Sequence, residues 1–306
     1  MAIKEIKKES LTWINIDKID QESINFLKEN YNFHHLDIED LQTENQTPKI
    51  DVYKNYLFLV LQFPHWNQQT QTVQPFEVDF FIGENFLITI QHTKSKEMKS
   101  FFYRCLKNRR VKREWMSQSS GYLTFRVIEA LFQNSRPILN NVGRKISQIE
   151  NTIFEGEVST DVVKQLALYR RNILGFRRII DPQRFLITNL SHTRKSFLNE
   201  STSLYFDDIN DYLNKLWSIV DTYKDTIQGL HVTVESLITQ RTNKVIGALT
   251  AISVALLPLT LLSGIYGMNI AGLPFADRPV VVWGMFGVLA SIILIFVFLG
   301  RKKGWL

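Results

Sequence analysis

The sequence holds a single cysteine, Cys105, among 306 residues. A lone thiol closes no disulfide within the chain and leaves no thiolate cluster for zinc. No glycine-rich phosphate loop, nucleophile elbow or paired zinc motif occurs. The histidines do not fill the gap. His65, His92, His192 and His231 have no ligand spacing. His34 and His35, beside Asp37, Glu39 and Asp40, read as part of a short helix carrying surface acids. No enzyme class finds its residues here, and no organic cofactor is expected. The opening residues Met1 to Ser10 mix lysine with glutamate and lack an apolar core or small-residue cleavage site, so neither a signal nor a transit peptide is expected.

Charge is absent from two further stretches, and there the absence is informative. Val245 to Ile265 and Val280 to Leu299 are uncharged apolar runs, each about the 20 residues that a helix needs to cross a bilayer core. The remaining chain, 1–244, is charged and aromatic-rich and long enough to bury a core of its own in water. Arg241 and Lys244 precede the first run, and Arg301, Lys302 and Lys303 follow the second. The connection 266–279 carries one base, Arg278, beside one acid, Asp277. The positive-inside rule therefore predicts a multi-pass protein of the cell (inner) membrane with both termini cytoplasmic. The net charge of +6 suits an anionic leaflet. The basic run Lys107, Arg109, Arg110, Lys112 and Arg113 reads as a solvated face or a contact for lipid headgroups, not for nucleic acid.

Runs of apolar residues between turn signals predict strands at Leu11–Ile16, Tyr56–Phe63, Phe76–Ile82 and Phe86–Ile90, the last two joined by a hairpin at Gly83-Glu84-Asn85. Gln21–Asn30 and Leu36–Leu41 read as helices. After Gly121 helical periodicity takes over. Leu166, Tyr169, Ile173, Phe176 and Ile180 form a seam expected to end before Pro182. A second series, from Ile209 through Leu213, Leu216, Val220, Tyr223, Ile227, Leu230 and Val234 to Leu237, alternates steps of four and three like a coiled coil. It runs directly into the first apolar run. Asp207 to Ile265 is thus expected to be one helix of roughly 90 Å at about 1.5 Å per residue, the alternative being a break near Thr239 to Asn243. The expected division is 1–120 α/β, 121–244 helical region and stalk, and 245–306 transmembrane, with spans 245–265 and 280–299 around the outer loop 266–279.

Two spans cannot enclose a polar conduit, because each hides its backbone and shows lipid an apolar face. Conduction therefore requires a homo-oligomer, in which a polar side chain on the first span is repeated once per subunit. Asn243, Thr250, Ser253, Thr260 and Ser263 are the candidates. Uncharged oxygens suit a hydrated divalent cation that must enter and also leave. For any one of these residues taken alone, helix packing is the plain alternative.

The first span is followed at once by Tyr266-Gly267-Met268-Asn269, and here the sequence resembles the CorA family of magnesium transporters, whose signature is Gly-Met-Asn. Other landmarks agree: His35-Leu36-Asp37-Ile38-Glu39-Asp40, Pro48-Lys49-Ile50, Asn55 to Leu61, Asn85 to Ile90, Pro258-Leu259-Thr260 and Lys302 to Leu306. The resemblance implies an α+β membrane protein. It would be a funnel-shaped homopentamer with a cytoplasmic α/β/α domain, a stalk helix that becomes the pore-lining span, and a second span facing lipid. It further implies transport of Mg2+, with Co2+ or Ni2+ as further cargo. Gly267, Met268 and Asn269 would be the selectivity filter. Mg2+ dehydrates reluctantly, so a ring of Asn269 amide oxygens and free helix-end carbonyls, such as that of Gly267, can recognise the ion through its water shell. By the same register Asn243 and Thr260 would be polar rings, and Ile246, Leu249 and Leu257 apolar constrictions able to gate by dewetting.

The chain also departs from the family pattern. A glutamate-bearing outer loop is replaced by Ile270 to Phe275, leaving Asp277 as the loop's only acid. The Gly272-Leu273-Pro274 pattern is similar to that of ZntB-like zinc transporters. A regulatory Mg2+ site implied by the family would use Asp208, with Asp207 and Asp211 nearby, but the segment expected to supply its partner, His65 to Thr70, has no carboxylate. The alternatives are a proton-coupled Zn2+ transporter and a non-transporting membrane-anchored structural or sensor protein.

Overall fold

The computed structural model describes residues 3–43, 46–93, 95–156, 158–198, 200–268, 272–275 and 277–302. They fall into two compact units, Met1–Leu230 and His231–Leu306.

The first unit is built on a six-stranded sheet of β1 (Ile3–Lys8), β2 (Leu11–Ile16), β3 (Lys49–Val52), β4 (Tyr56–Asn67), β5 (Thr72–Gly83) and β6 (Phe86–Gln91), in the order β1-β2-β6-β5-β4-β3. Only β2 and β6 pair in parallel. The run Tyr56 to Leu61 does not alternate because both faces of β4 are covered, and all six side chains are buried. One face packs on α1 (Gln21–Asn30) and α2 (His35–Asp40) through Ile14, Phe58, Phe81, Ile88, Leu27 and Ile38. The other carries α3 (Lys96–Lys107), α4 (Arg109–Trp115), α5 (Ser120–Gln133), α6 (Ser135–Phe154) and α7 (Thr160–His192). There Trp13 lies 4.8 Å from Phe102 and Phe63 lies 4.6 Å from Phe132, ring centre to ring centre. Each such side chain stabilises the fold by about 1.5–3 kcal/mol relative to exposure. The result is the expected α/β/α layering. Side-chain oxygens of Asp20, Ser95, Asn108, Ser119 and Ser159 cap five of the helices on free N–H groups.

Three features differ from the sequence reading. The edge strands β1 and β3 were not expected. β1 buries only Ile6 between lysines, as an edge strand guarded against further pairing does. β4 and β5 extend beyond Phe63 and Phe76, through Pro64 and Pro75, which face each other. At that point neither β3 nor β6 flanks the pair, so no third strand misses their N–H groups. α7 runs through Pro182 instead of ending before it. A mid-helix proline costs about 3 kcal/mol, but buried Ile179 and Ile180 on one side and Leu186, Ile187 and Leu190 on the other together outweigh that. The seam of the next helix, for which the sequence reading named no partner, closes within the chain. α8 (Glu200–Tyr266) buries Ile209, Leu213, Leu216, Val220, Ile227 and Leu230. Phe206 sits 6.4 Å from Phe125 of α5, Trp217 packs 4.7 Å beneath the Arg184 guanidinium of α7, and the Tyr223 hydroxyl stands 2.1 Å from where a Cβ on Gly143 of α6 would lie.

α8 is a single helix through Thr239 to Asn243 and Pro258, as the uninterrupted periodicity predicts. The second unit consists of its later part and α9 (Pro279–Lys302). Both helices contain windows apolar enough to cross a membrane, and none of either window is buried. Val245, Leu249, Leu257, Trp283, Leu294 and Phe298 all stand more than half exposed. Water does not tolerate such continuous apolar surface on a helix pair; a bilayer does.

Candidate functional site

The two apolar helices shield each other along narrow stripes. On α8 the half-buried residues are Ala248, Ala251, Ala255, Leu259, Leu262 and Tyr266, and on α9 Val282, Phe286, Leu289, Ala290, Ile293 and Val297. Apart from Ala290, next to Leu289, these are steps of three and four, the spacing of one helix face. Asn243, Ile246, Leu249, Leu257 and Thr260 are all exposed. At about 100° per residue they fall within about 60° of the line opposite the half-buried stripe of α8. They share the face of α8 turned away from α9.

Hydroxyls on this span bond to their own helix. Thr260 Oγ1 donates to Leu256 O at 3.0 Å, Ser253 Oγ to Leu249 O at 2.9 Å and Ser263 Oγ to Thr260 O at 3.0 Å. Each hydroxyl has one proton, so what remains on the outside is lone pairs.

The end of α8 is tightly wound. Gly267 N donates to Ser263 O at 2.9 Å and Met268 N to Ile265 O at 3.3 Å. A Cβ on Gly267 would lie 2.9 Å from Ser263 O, closer than ordinary van der Waals contact, so glycine is the residue that lets the last turn close. Met268 is 53% exposed. Asn269, the third residue of the tripeptide, lies outside the described residues. The Tyr266 hydroxyl donates to Pro274 O at 3.0 Å and lies 3.9 Å from Met285 Sδ of α9. Gly272, at φ +93°, supplies a left-handed turn within the Gly-Leu-Pro segment. Asp277 is exposed.

In the first unit, Asp207, Asp208 and Asp211 are exposed on α8, opposite its buried seam. They make no ion pair among the described residues. The β4–β5 turn brings no carboxylate; Asn67 Oδ1 there accepts from Gln69 N and Thr70 N. An acid that the sequence reading did not single out does lie near. Burial raises the Glu129 carboxyl above its ordinary range; Arg126 opposes this, and the charge of Asp208 adds to it.

The His34–Asp40 segment is a short helix, as its sequence suggested, but its acids are not all on the surface. Asp37 is buried and accepts from Tyr53 and Tyr56 hydroxyls at 2.8 and 2.6 Å, and Asp40 pairs with Lys49 at 2.5 Å. A different cluster was missed: Glu77, Asp79 and His92 come together in the interior. Strand alternation from Glu77 to Asp79 was the available signal, but His92 follows a separate strand and only the register of β5 on β6 joins them.

A long helix, two exposed apolar helices, and an uncharged oxygen-bearing face on the first of them mark a membrane-spanning protein. The chain belongs to the CorA-like Mg2+ transporter protein family, which it matches over residues 8–303, and it is a CorA-like divalent-cation transporter. It is similar to the cobalt/magnesium transport protein CorA of Thermotoga maritima, at 27% identity over 96% of this chain and 83% of that one. It is also similar to the zinc transport protein ZntB of Pectobacterium atrosepticum, at 23% identity over 61% of this chain and 55% of that protein. Among solved structures, the complete CorA magnesium transporter of Methanocaldococcus jannaschii has the same fold, with a TM-score of 0.82 at 20% identity, over 99% of this chain and 94% of that one.

Proposed function

We propose that this chain transports Mg2+, with Co2+ and Ni2+ as further cargo, through a homopentameric channel whose termini are cytoplasmic. The carrying observation is the uncharged α8 face away from α9, ending at Gly267. Two helices enclose no conduit, so that face needs symmetry-related copies to become a wall. In a ring, Leu249, Leu257 and Ile246 form apolar constrictions, and Asn243 and Thr260 form rings of oxygen. Gly267 to Asn269 form the filter, which reads the hydrated ion by accepting from its waters. Met268 packs, since a thioether is a poor ligand for a hard ion. Cytoplasmic Mg2+ at Asp207, Asp208 and Asp211 holds the channel closed. The names of the relatives, cobalt/magnesium transport among them, support this cargo.

A second reading, a proton-coupled Zn2+ transporter, is favoured by the Gly272-Leu273-Pro274 turn and by the similarity to ZntB. Ion uptake into liposomes, with Mg2+ and Zn2+ at equal concentration and with or without a pH gradient, separates the two. The channel reading expects Mg2+ entry indifferent to the gradient, abolished by Asn269→Ala while the oligomer survives. Zn2+ entry that requires the gradient overturns it.

A further inference from the structure

Glu77 and Asp79 are two apart on β5 and so share one face of the sheet. The β5–β6 register sets Val78 opposite Gln91, which brings His92, the next residue, beside them. Asp79 is fully buried, and Glu77 and His92 are each 6% exposed. His92 Nε2 lies 3.0 Å from Asp79 Oδ2 and 3.2 Å from Glu77 Oε1, and one ligand atom from each residue lies within 4.8 Å of the others. Among the described residues Asp79 Oδ1 has no hydrogen-bond partner, and the one polar neighbour printed for Glu77 Oε1 is His92 Nε2. Glu77 Oε2, by contrast, accepts from the Gln46 backbone at 2.8 Å, and Gln46 O accepts from Gln62 Nε2 at 2.8 Å.

Two acids this close in a dry interior are costly unless a cation joins them. His92 Nε2 and Asp79 Oδ2 are hydrogen-bonded at 3.0 Å, and the same spacing admits a shared cation. An ion about 2.0–2.1 Å from its ligands holds adjacent ligand atoms about 3.0–3.3 Å apart, so it could replace the shared proton with little movement. The Gln46 N–H on the far oxygen of Glu77 is the kind of outer contact that orients a ligating carboxylate.

We propose that Glu77, Asp79 and His92 form a buried site for one divalent transition-metal ion of the Zn2+, Co2+ or Ni2+ class, separate from the transport path. Imidazole suits these ions, whereas Mg2+ takes oxygen. The ion would tie β5 to the end of β6 and, through Glu77, to the backbone at Gln46. The inference goes beyond the transport reading and does not depend on it.

The test uses the full chain in detergent, stripped with chelator and titrated with Co2+ in excess Mg2+, which occupies oxygen-only sites. The expected result is one Co2+ per chain with the visible spectrum of a nitrogen-ligated ion, and imidazole scattering in the X-ray absorption of the Zn2+ form. His92→Gln should weaken Co2+ binding by more than the roughly 10–100-fold typical of losing an outer contact, and Glu77→Gln should do the same. Should His92→Gln not fold, the wild-type spectrum and Glu77→Gln decide the matter. A wild-type spectrum showing only oxygen ligation overturns the site, as does a folded variant that binds Co2+ like wild type. Uptake in liposomes is a separate readout, so loss of one reading leaves the other standing.

Discussion

Gly267→Ala tests the filter reading most directly. The added methyl would lie 2.9 Å from Ser263 O, where ordinary contact begins at 3.4 Å. The obstacle is backbone, so the last turn of α8 must open by about half an ångström or the chain after it must swing away. Overpacking of this kind costs about 1–3 kcal/mol. The hydrogen bond from Gly267 N to Ser263 O, 2.9 Å long, is the first to suffer. If each of five subunits loses one carbonyl–water contact worth about 0.5–1.5 kcal/mol, the loss summed over the ring reaches about 2.5–7.5 kcal/mol, or roughly 70-fold or more in ion occupancy. We therefore expect Mg2+ uptake into liposomes to fall at least about tenfold, with the oligomer intact by native mass spectrometry. Gly287→Ala on α9 is the control, because a Cβ there meets nothing within 4 Å, and its uptake should match wild type. Wild-type uptake by Gly267→Ala would refute the reasoning.

Three further outcomes are expected. Asp207→Ala combined with Asp208→Ala should weaken the protection that Mg2+ gives the N-terminal unit against protease; unchanged protection moves the sensor elsewhere. Tyr56→Phe removes the 2.6 Å donor to buried Asp37 and should cost about 1.5–3 kcal/mol, read as a lower melting temperature. Burial, opposed by the two tyrosine hydroxyls, raises the Asp37 carboxyl above 3.8, so the folded state holds that proton more tightly than the unfolded chain. The Asp37 contribution is complete below the unfolded value and declines as pH rises through the folded one. Asp37→Asn should therefore gain melting temperature relative to wild type as pH rises from acid to neutral, and a constant difference would contradict this.

The parts legible in the sequence were those with long-range repetition. Ile209 through Leu237 and the uncharged run from Val245 state one continuous helix, and α8 is that helix. What the periodicity could not state was the partner of the seam, because Arg184, Gly143 and Phe125 approach it only after α5, α6 and α7 have packed. Proline is passed at three places where the sequence reading stopped an element short. Its local cost is visible at Pro182, Pro64 and Pro75, while the burial that offsets it at Pro182 and the absence of a third strand at the other two are tertiary facts. β1 was unreadable because Ile3 and Ile6, its only apolar residues, are split by lysine and glutamate. At the candidate site, Gly267 was legible as part of a tripeptide, but the reason for glycine there is the approach to Ser263 O. The Glu77–Asp79–His92 cluster was illegible, since it exists only through strand register.

The back-bonded hydroxyls of α8 bear on anions. Chloride needs donors to replace its water, and Ser253 and Thr260 have already given theirs to Leu249 O and Leu256 O. Hydroxyls bonded in this way disfavour anions without any fixed charge. Hydroxyls of this kind do not titrate in the physiological range, and salt has no charge on them to screen. The sign preference of this stretch should therefore persist across the acidity and ionic strength in which the fold survives, leaving any response to either to be built elsewhere in the chain.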